Sequence, residues 1–190
     1  MRLIIVDGLD GVGKDTHAQL IKDHYEKKGE NVIIRSHPES DNFYGIESKK
    51  ALLGKGKINR LIASVFYAFD VLRSLRLFYQ EPKCDTLILV RYLMGAAYLP
   101  QGLAQFFYGV FDRLVPTSEY MFFLDAAPEE LLDRINRRDE MEMFETYDEL
   151  LKVRSKAIGL AKGWYIIDTV RPVDETFFCI EKVLDLLDNK

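Results

Sequence analysis

The run Gly8-Leu9-Asp10-Gly11-Val12-Gly13-Lys14-Asp15-Thr16 holds three glycines and a lysine at the spacing of a phosphate-binding loop. Glycines let the chain curl until several backbone N–H groups face one anion, and a helix opening directly after them adds the positive end of its dipole. Lys14 then acts as a point charge on the outer phosphates. An apolar run precedes the loop and a helical pattern follows it, which is the context the motif requires. Position 15 departs from the pattern, because a hydroxyl there normally serves magnesium. The carboxylate of Asp15 is able to coordinate magnesium directly or through water, and it is equally able to repel phosphate. Thr16 retains a hydroxyl suited to an inner phosphate oxygen.

The elements that must hold this loop read as alternating strands and helices. Arg2 to Val6 is a short Ile/Val run expected to form a buried parallel strand, followed by a helix from about Gly13 to Lys28 that Gly29 stops. Asn31 to Arg35, Asp85 to Val90, Tyr120 to Leu124 and Trp164 to Ile167 repeat the strand pattern. Helices are expected over 44–54, 57–80 and Val173 to Leu187, and one more opens at Pro128, with Glu129 and Glu130 suiting its positive end. The apolar stretch Leu93 to Val115 is broken by Pro100, Gln101, Gln105, Asp112 and Arg113, so it reads as a buried helical region rather than a membrane span. Strands apolar on both faces and separated by helices imply an α/β fold, a five-stranded parallel sheet with helices on both faces. No linker or repeat divides the chain, so residues 1–190 are expected to form one domain. The charged segment Arg138 to Glu145 reads as a lid, about 138–146.

Composition narrows the partners. With 190 residues and 48% hydrophobic content, the chain is able to bury roughly 70% of the surface its unfolded form exposes. A net charge of −4 argues against non-specific nucleic-acid binding. No export signal is visible, so the expected location is the cytoplasm. Cys84 and Cys179 lack CxxC spacing and read as buried thiols, and His17, His24 and His37 show no ligand spacing.

Beyond the loop, further residues fall in a recognisable order. His37-Pro38 with Gly45, Phe66, Arg91-Tyr92, Ala97-Tyr98, Leu124-Asp125 with Pro128-Glu129, then Arg134, Arg137 and Arg138, Phe144-Glu145 and Ile167-Asp168 together resemble the thymidylate kinase family of P-loop nucleoside monophosphate kinases. The resemblance covers nearly the whole chain and implies the P-loop NTPase fold. It further implies magnesium-dependent transfer from ATP to a monophosphate, dTMP first. ATP would be bound by Gly8, Leu9, Asp10, Gly11, Val12, Gly13, Lys14, Asp15, Thr16, Arg134 and Arg138. The acceptor would lie among Asp10, Phe66, Arg91, Tyr92 and Tyr98, with Phe66 stacking on its base. Catalysis falls to Lys14, Arg91 and Asp10, and Asp15 with Asp10 would hold magnesium.

The chain departs from the family in functional places. Val90 stands where the family has an aspartate, Asp70 where it directs an arginine at the acceptor, Gly95 and Leu99 replace a serine and a glutamine, and Met143 replaces a lid arginine. The departures leave two alternatives: a nucleotide-binding regulatory protein without kinase turnover, and a kinase for a different monophosphate. A guanine-reading switch is disfavoured because Asn-Lys-x-Asp is absent. Family members commonly pair as two-fold dimers, and the apolar region after Met94 could serve a homodimer here. The aromatic run Phe106 to Phe111 reads as core or as that dimer face, not as a ligand box.

Overall fold

The computed structural model describes residues 1–54, 56–99, 101–137 and 146–190. The lid expectation, with Arg138, Met143 and Phe144-Glu145, therefore lies outside the described residues. Five strands, β1 (Arg2–Gly8), β2 (Val32–Ser36), β3 (Thr86–Val90), β4 (Tyr120–Asp125) and β5 (Tyr165–Asp168), form one parallel sheet in the order β2-β3-β1-β4-β5. Helices α1 (Lys14–Lys27), α2 (Phe43–Leu53), α3 (Lys57–Ser74), α4 (Gln101–Leu114), α5 (Pro128–Asn136), α6 (Tyr147–Leu160) and α7 (Val173–Asp188) connect and cover it.

The register places the working edge. Val6 pairs with Val90 and Phe122, and Val90 also pairs with Ser36, so β2 and β3 end level with Val6 while β1 runs on to Gly8 and β4 to Asp125. After β1 the chain adds β2 beyond β3 on one side, and later β4 and β5 on the other. Ligands of open α/β sheets bind outside the strand carboxyl ends where the order reverses, here the edge around β1. The three central strands are closed on both faces, with Ile4, Ile5, Val6, Leu87, Ile88, Leu89, Val90, Phe122, Phe123 and Leu124 fully buried. Side chains packed that tightly leave the edge little room to shift.

Several expectations need correction. β5 is an outer strand, so its alternate residues face out and Ile166 is exposed rather than covered on both sides. The 57–80 helix is α-helical only to Ser74 and continues as a π-turn, Leu75–Gln80. Leu93 to Val115 is not one buried helix: Met94–Tyr98 is a 3₁₀ turn, and Leu99 is extended at φ −76°, ψ 160°. The residue before a proline disfavours helical backbone, which divides the region there. α4 then exposes Leu103, Phe106, Phe107 and Leu114. Both cysteines are half-buried rather than buried. Among the described residues no helix is long and apolar enough to cross a membrane.

Candidate active site

The phosphate loop runs from the end of β1 into α1. A side chain at Gly8 would place its Cβ 2.3 Å from the Leu124 carbonyl, so glycine permits the close approach of β1 to β4. Gly13, at φ 87° and ψ 27°, takes the left-handed turn that starts α1. Leu9 and Val12 are buried and pin the loop from below. Lys14 is buried as well, and its Nζ donates to the Gly8 carbonyl at 2.9 Å and the Leu9 carbonyl at 2.6 Å, and stands 3.4 Å from Asp10 Oδ1. Burial lowers the Lys14 pKa, with Arg91 adding to the effect and Asp10 opposing it.

Arg91 faces the loop from the end of β3. Its backbone sits in the left-handed region at φ 55°, a conformation uncommon for a side chain of this size. Several contacts hold it there. Its N–H donates to the Val6 carbonyl at 3.3 Å, and its own carbonyl accepts from the Tyr67 hydroxyl. The next three N–H groups, of Tyr92, Leu93 and Met94, converge on Asp7 Oδ2 at 3.0, 2.8 and 3.1 Å. Burial raises the Asp7 pKa against those three hydrogen bonds.

The Arg91 guanidinium is bound by carboxylates. Nη1 and Nη2 reach Asp15 Oδ1 and Oδ2 at 3.2 and 2.9 Å, and Nη1 also donates to Ser36 Oγ at 2.8 Å. Ser36 in turn donates to Asp15 Oδ1 at 2.6 Å. Arg91 Nε is 3.9 Å from Asp10 Oδ1, the oxygen that Lys14 approaches from the other side, while Asp10 Oδ2 accepts from the Tyr98 hydroxyl at 2.8 Å. Burial pushes the Asp10 and Asp15 carboxyls up, but the cations outweigh it and both lie below the usual carboxylate range, Asp10 through Lys14 and Arg91, Asp15 chiefly through Arg91. Asp10, Lys14, Asp15, Arg91 and Tyr98 thus meet in one cluster.

Beside the loop lies a cavity of about 420 Å³ lined by Gly11, Gly13, Thr16, His17, Arg134 and residues 169–173, a volume in the range of small-molecule sites. Arg134 donates to Glu130 at 2.9 Å and to the Thr169 carbonyl at 2.8 Å, which leaves its guanidinium plane as the unpaired surface.

Other expected residues stand elsewhere. Tyr92 is buried and donates its hydroxyl to the Pro116 carbonyl at 3.1 Å, so what it gives this cluster is its backbone N–H to Asp7. Phe66 is half-buried and packs edge-on against Phe43 at 5.7 Å between centroids, with Tyr44 at 6.5 Å. Its neighbour Tyr67 is the ring that reaches Arg91. Asp70 has no exposed side-chain surface and faces no phosphate cation: it accepts from His37 Nδ1 at 2.9 Å, Glu39 N–H at 2.8 Å and Asn42 Nδ2 at 2.6 Å. It ties the loop after β2, which includes a cis His37–Pro38 bond, onto α3. Val90 is fully buried packing.

Sequence reasoning passed over Asp7, Ser36 and Tyr67. Asp7 carried a signal, an acidic residue closing an otherwise buried apolar strand. Ser36 and Tyr67 carried none, because their partner, Arg91, is remote in sequence.

A thymidylate kinase family model matches residues 6–178. The chain belongs to the thymidylate kinase family. It is 28% identical over 179 residues to a probable thymidylate kinase 1 of Saccharolobus solfataricus, covering 92% of each chain. With a probable thymidylate kinase of Archaeoglobus fulgidus it shares 24% over 200 residues, covering 96% of this chain and 94% of that one. The solved thymidylate kinase of Candida albicans superposes with a TM-score of 0.75 at 16% identity, over 99% of this chain and 92% of that one. That likeness is one of fold. As a member of this family the chain is a nucleoside monophosphate kinase that uses ATP as phosphate donor.

Proposed function

We propose that the chain transfers the γ-phosphoryl group of ATP to the phosphate of dTMP. One observation carries the reading: Lys14 Nζ and Arg91 Nε flank the same oxygen, Asp10 Oδ1, at 3.4 and 3.9 Å. A loop cation for the donor phosphates and a second cation for the acceptor phosphate are therefore a few ångströms apart. Phosphoryl transfer asks little else of a protein than this positioning and charge. An acceptor phosphate oxygen attacks the γ-phosphorus in line while the bond to the β–γ bridging oxygen breaks. Lys14 and the loop N–H groups from Gly8 to Thr16 hold the leaving diphosphate, and Arg91 orients the attacking phosphate. Arg134, on the wall of the cavity beside the loop, presents a plane against which a purine is able to stack. Phe66 and Tyr98 are assigned to the acceptor side.

Magnesium fits the chemistry of the donor set, since Asp10 and Asp15 offer the hard oxygen ligands it prefers. Among the described residues no three His, Cys, Asp or Glu side chains cluster as a metal cage, so these two carboxylates would hold the ion together with the nucleotide phosphates. When bound, it neutralises charge on the transferring group. We assign the whole chain to one kinase domain with its lid at about 138–146, acting in the cytoplasm and without nucleic acid as partner. A homodimer would pair through α3, where Ile58, Leu61, Val65, Phe69 and Leu72 make an exposed stripe longer than that of α4.

A second reading, nucleotide binding without turnover, is favoured by Arg91 being bidentately neutralised by Asp15. Incubation with ATP and magnesium against dTMP, dUMP, UMP, CMP, AMP and GMP separates them. Transfer to dTMP that vanishes in Lys14→Ala is the expected outcome. ATP binding without transfer to any acceptor would favour the second reading, and preference for another monophosphate would reassign the acceptor.

A further inference from the structure

The Arg91 backbone is anchored by contacts of its own, whereas the Asp15 carboxylate is held through Arg91 and Ser36. The arginine backbone is clamped by Asp7 through the three following N–H groups, by Val6 and by Tyr67. Asp15 stands in the first turn of α1, and its side chain is 57% exposed against 31% for Arg91. A guanidinium binds a carboxylate or a phosphate through two parallel N–H groups. The Nη1/Nη2 edge of Arg91 is occupied by Asp15, the remaining side of Nη1 by Ser36, and Nε is turned toward Asp10. The Nη1/Nη2 edge is thus taken up by neighbouring side chains.

We propose that Asp15 is a built-in competitor for the acceptor phosphate: its carboxylate holds the Nη1/Nη2 edge of Arg91 in the empty site and must swing away before a phosphate takes that edge. The proposal rests on the reading that Arg91 binds the acceptor phosphate. On the Asp15 side the exchange gives up the Arg91 and Ser36 contacts, and the exposed carboxylate regains water in their place. Arg91 meanwhile stays in place, held by its backbone, so the incoming phosphate meets a preorganised fork. Asp15 is on this account a positioning residue that sets acceptor affinity, distinct from any part it takes with magnesium.

The test uses binding, with a chelator present and the donor loop saturated with ADP, so that a second anion sees only the Arg91 side. Calorimetry on wild type, Asp15→Ser and Asp15→Asn would measure ADP first, then inorganic phosphate and dTMP in separate titrations. Both variants are expected to bind inorganic phosphate about fivefold tighter than wild type, a gain larger than the change in ADP affinity measured in the same variants. Asp15→Asn keeps the shape and drops the charge, which guards against a misfolded serine variant. Unchanged or weaker phosphate binding, or an equal gain for ADP, would overturn the proposal, because removal of a negative charge near the loop would then explain everything. A gain for phosphate with dTMP binding no better than phosphate alone supports the competition and sinks the thymidylate reading.

Discussion

The two halves of the cleft are built in opposite ways. The donor half is one continuous run, Gly8 to Thr16, whose bonds are largely to itself: Lys14 is held by Gly8, Leu9 and Asp10. The acceptor half is assembled from separate segments, with Ser36 ending β2, Tyr67 and Asp70 on α3, Arg91 after β3 and Tyr98 on the 3₁₀ turn. A self-contained loop keeps its geometry so long as its own residues are kept. A composite wall is open to replacement piece by piece, and four of the positions that differ from the family pattern this sequence resembles, Asp70, Val90, Gly95 and Leu99, belong to it. Position 15 is where the halves touch, because Asp15 belongs to the donor run by sequence and to Arg91 by contact.

The largest expected effect breaks the comparison on its donor side. Lys14→Ala removes one preorganised cation and should lower kcat/KM by about 10²–10³. If the halves are as separate as their construction suggests, dTMP affinity in the absence of ATP should stay near wild type while ATP affinity falls, both read by calorimetry. Parallel loss of both would mean that Asp10, shared by Lys14 and Arg91, fuses the two into one site.

On the acceptor side the expected effect is on stability first. Asp70→Asn keeps the size but offers one acceptor oxygen in place of two, where His37, Glu39 and Asn42 all donate. Leaving buried donors unpaired should cost about 2 kcal/mol, measured as a shift in the urea midpoint at unchanged slope. Acceptor KM should rise with the loosened loop while the KM for ATP holds. A variant as stable as wild type would show that the loop does not depend on Asp70. Asp70→Arg should be worse than Asp70→Asn, since a buried guanidinium would face the His37, Glu39 and Asn42 donors.

What could be read in the sequence follows the same division. The sheet was legible because each central strand is an unbroken apolar run, and the phosphate loop because its residues are neighbours in the chain. Helix α5 was legible from Pro128, Glu129 and Glu130, whose positions in the first turn are what a helix start favours. The partner of Asp15 was not legible, since Arg91 is reached only by folding β3 beside β1. The burial of Asp70 was hidden for the same reason: its three donors lie in the loop after β2, 28 to 33 residues earlier in the chain. α4 was misjudged because a strongly apolar segment does not say which of its faces meets the core.

Asp7 and Asp70 allow a finer cut, at smaller effect. Both are buried carboxylates holding backbone N–H groups, yet burial raises the Asp7 pKa, whereas Asp70, which burial also pushes up, is brought below the usual range by His37 and its other donors. An aspartate has an unfolded pKa of about 3.9. Asp70 therefore contributes stability in full above that value, and the contribution is lost as pH falls toward its depressed folded pKa. Asp7 runs the other way: the fold favours its protonated form, so its contribution is greatest below about pH 4 and is lost as pH rises through the folded value. Urea midpoints taken from pH 7 down to pH 3 should show the gap between wild type and Asp70→Asn closing. The gap between wild type and Asp7→Asn, within about 1 kcal/mol at pH 7, should shift in favour of wild type over the same range. If both gaps closed together, the two carboxylates would be held alike, and the contrast between Asp7, which burial disfavours in its charged form, and Asp70, which its donors hold charged, would fail.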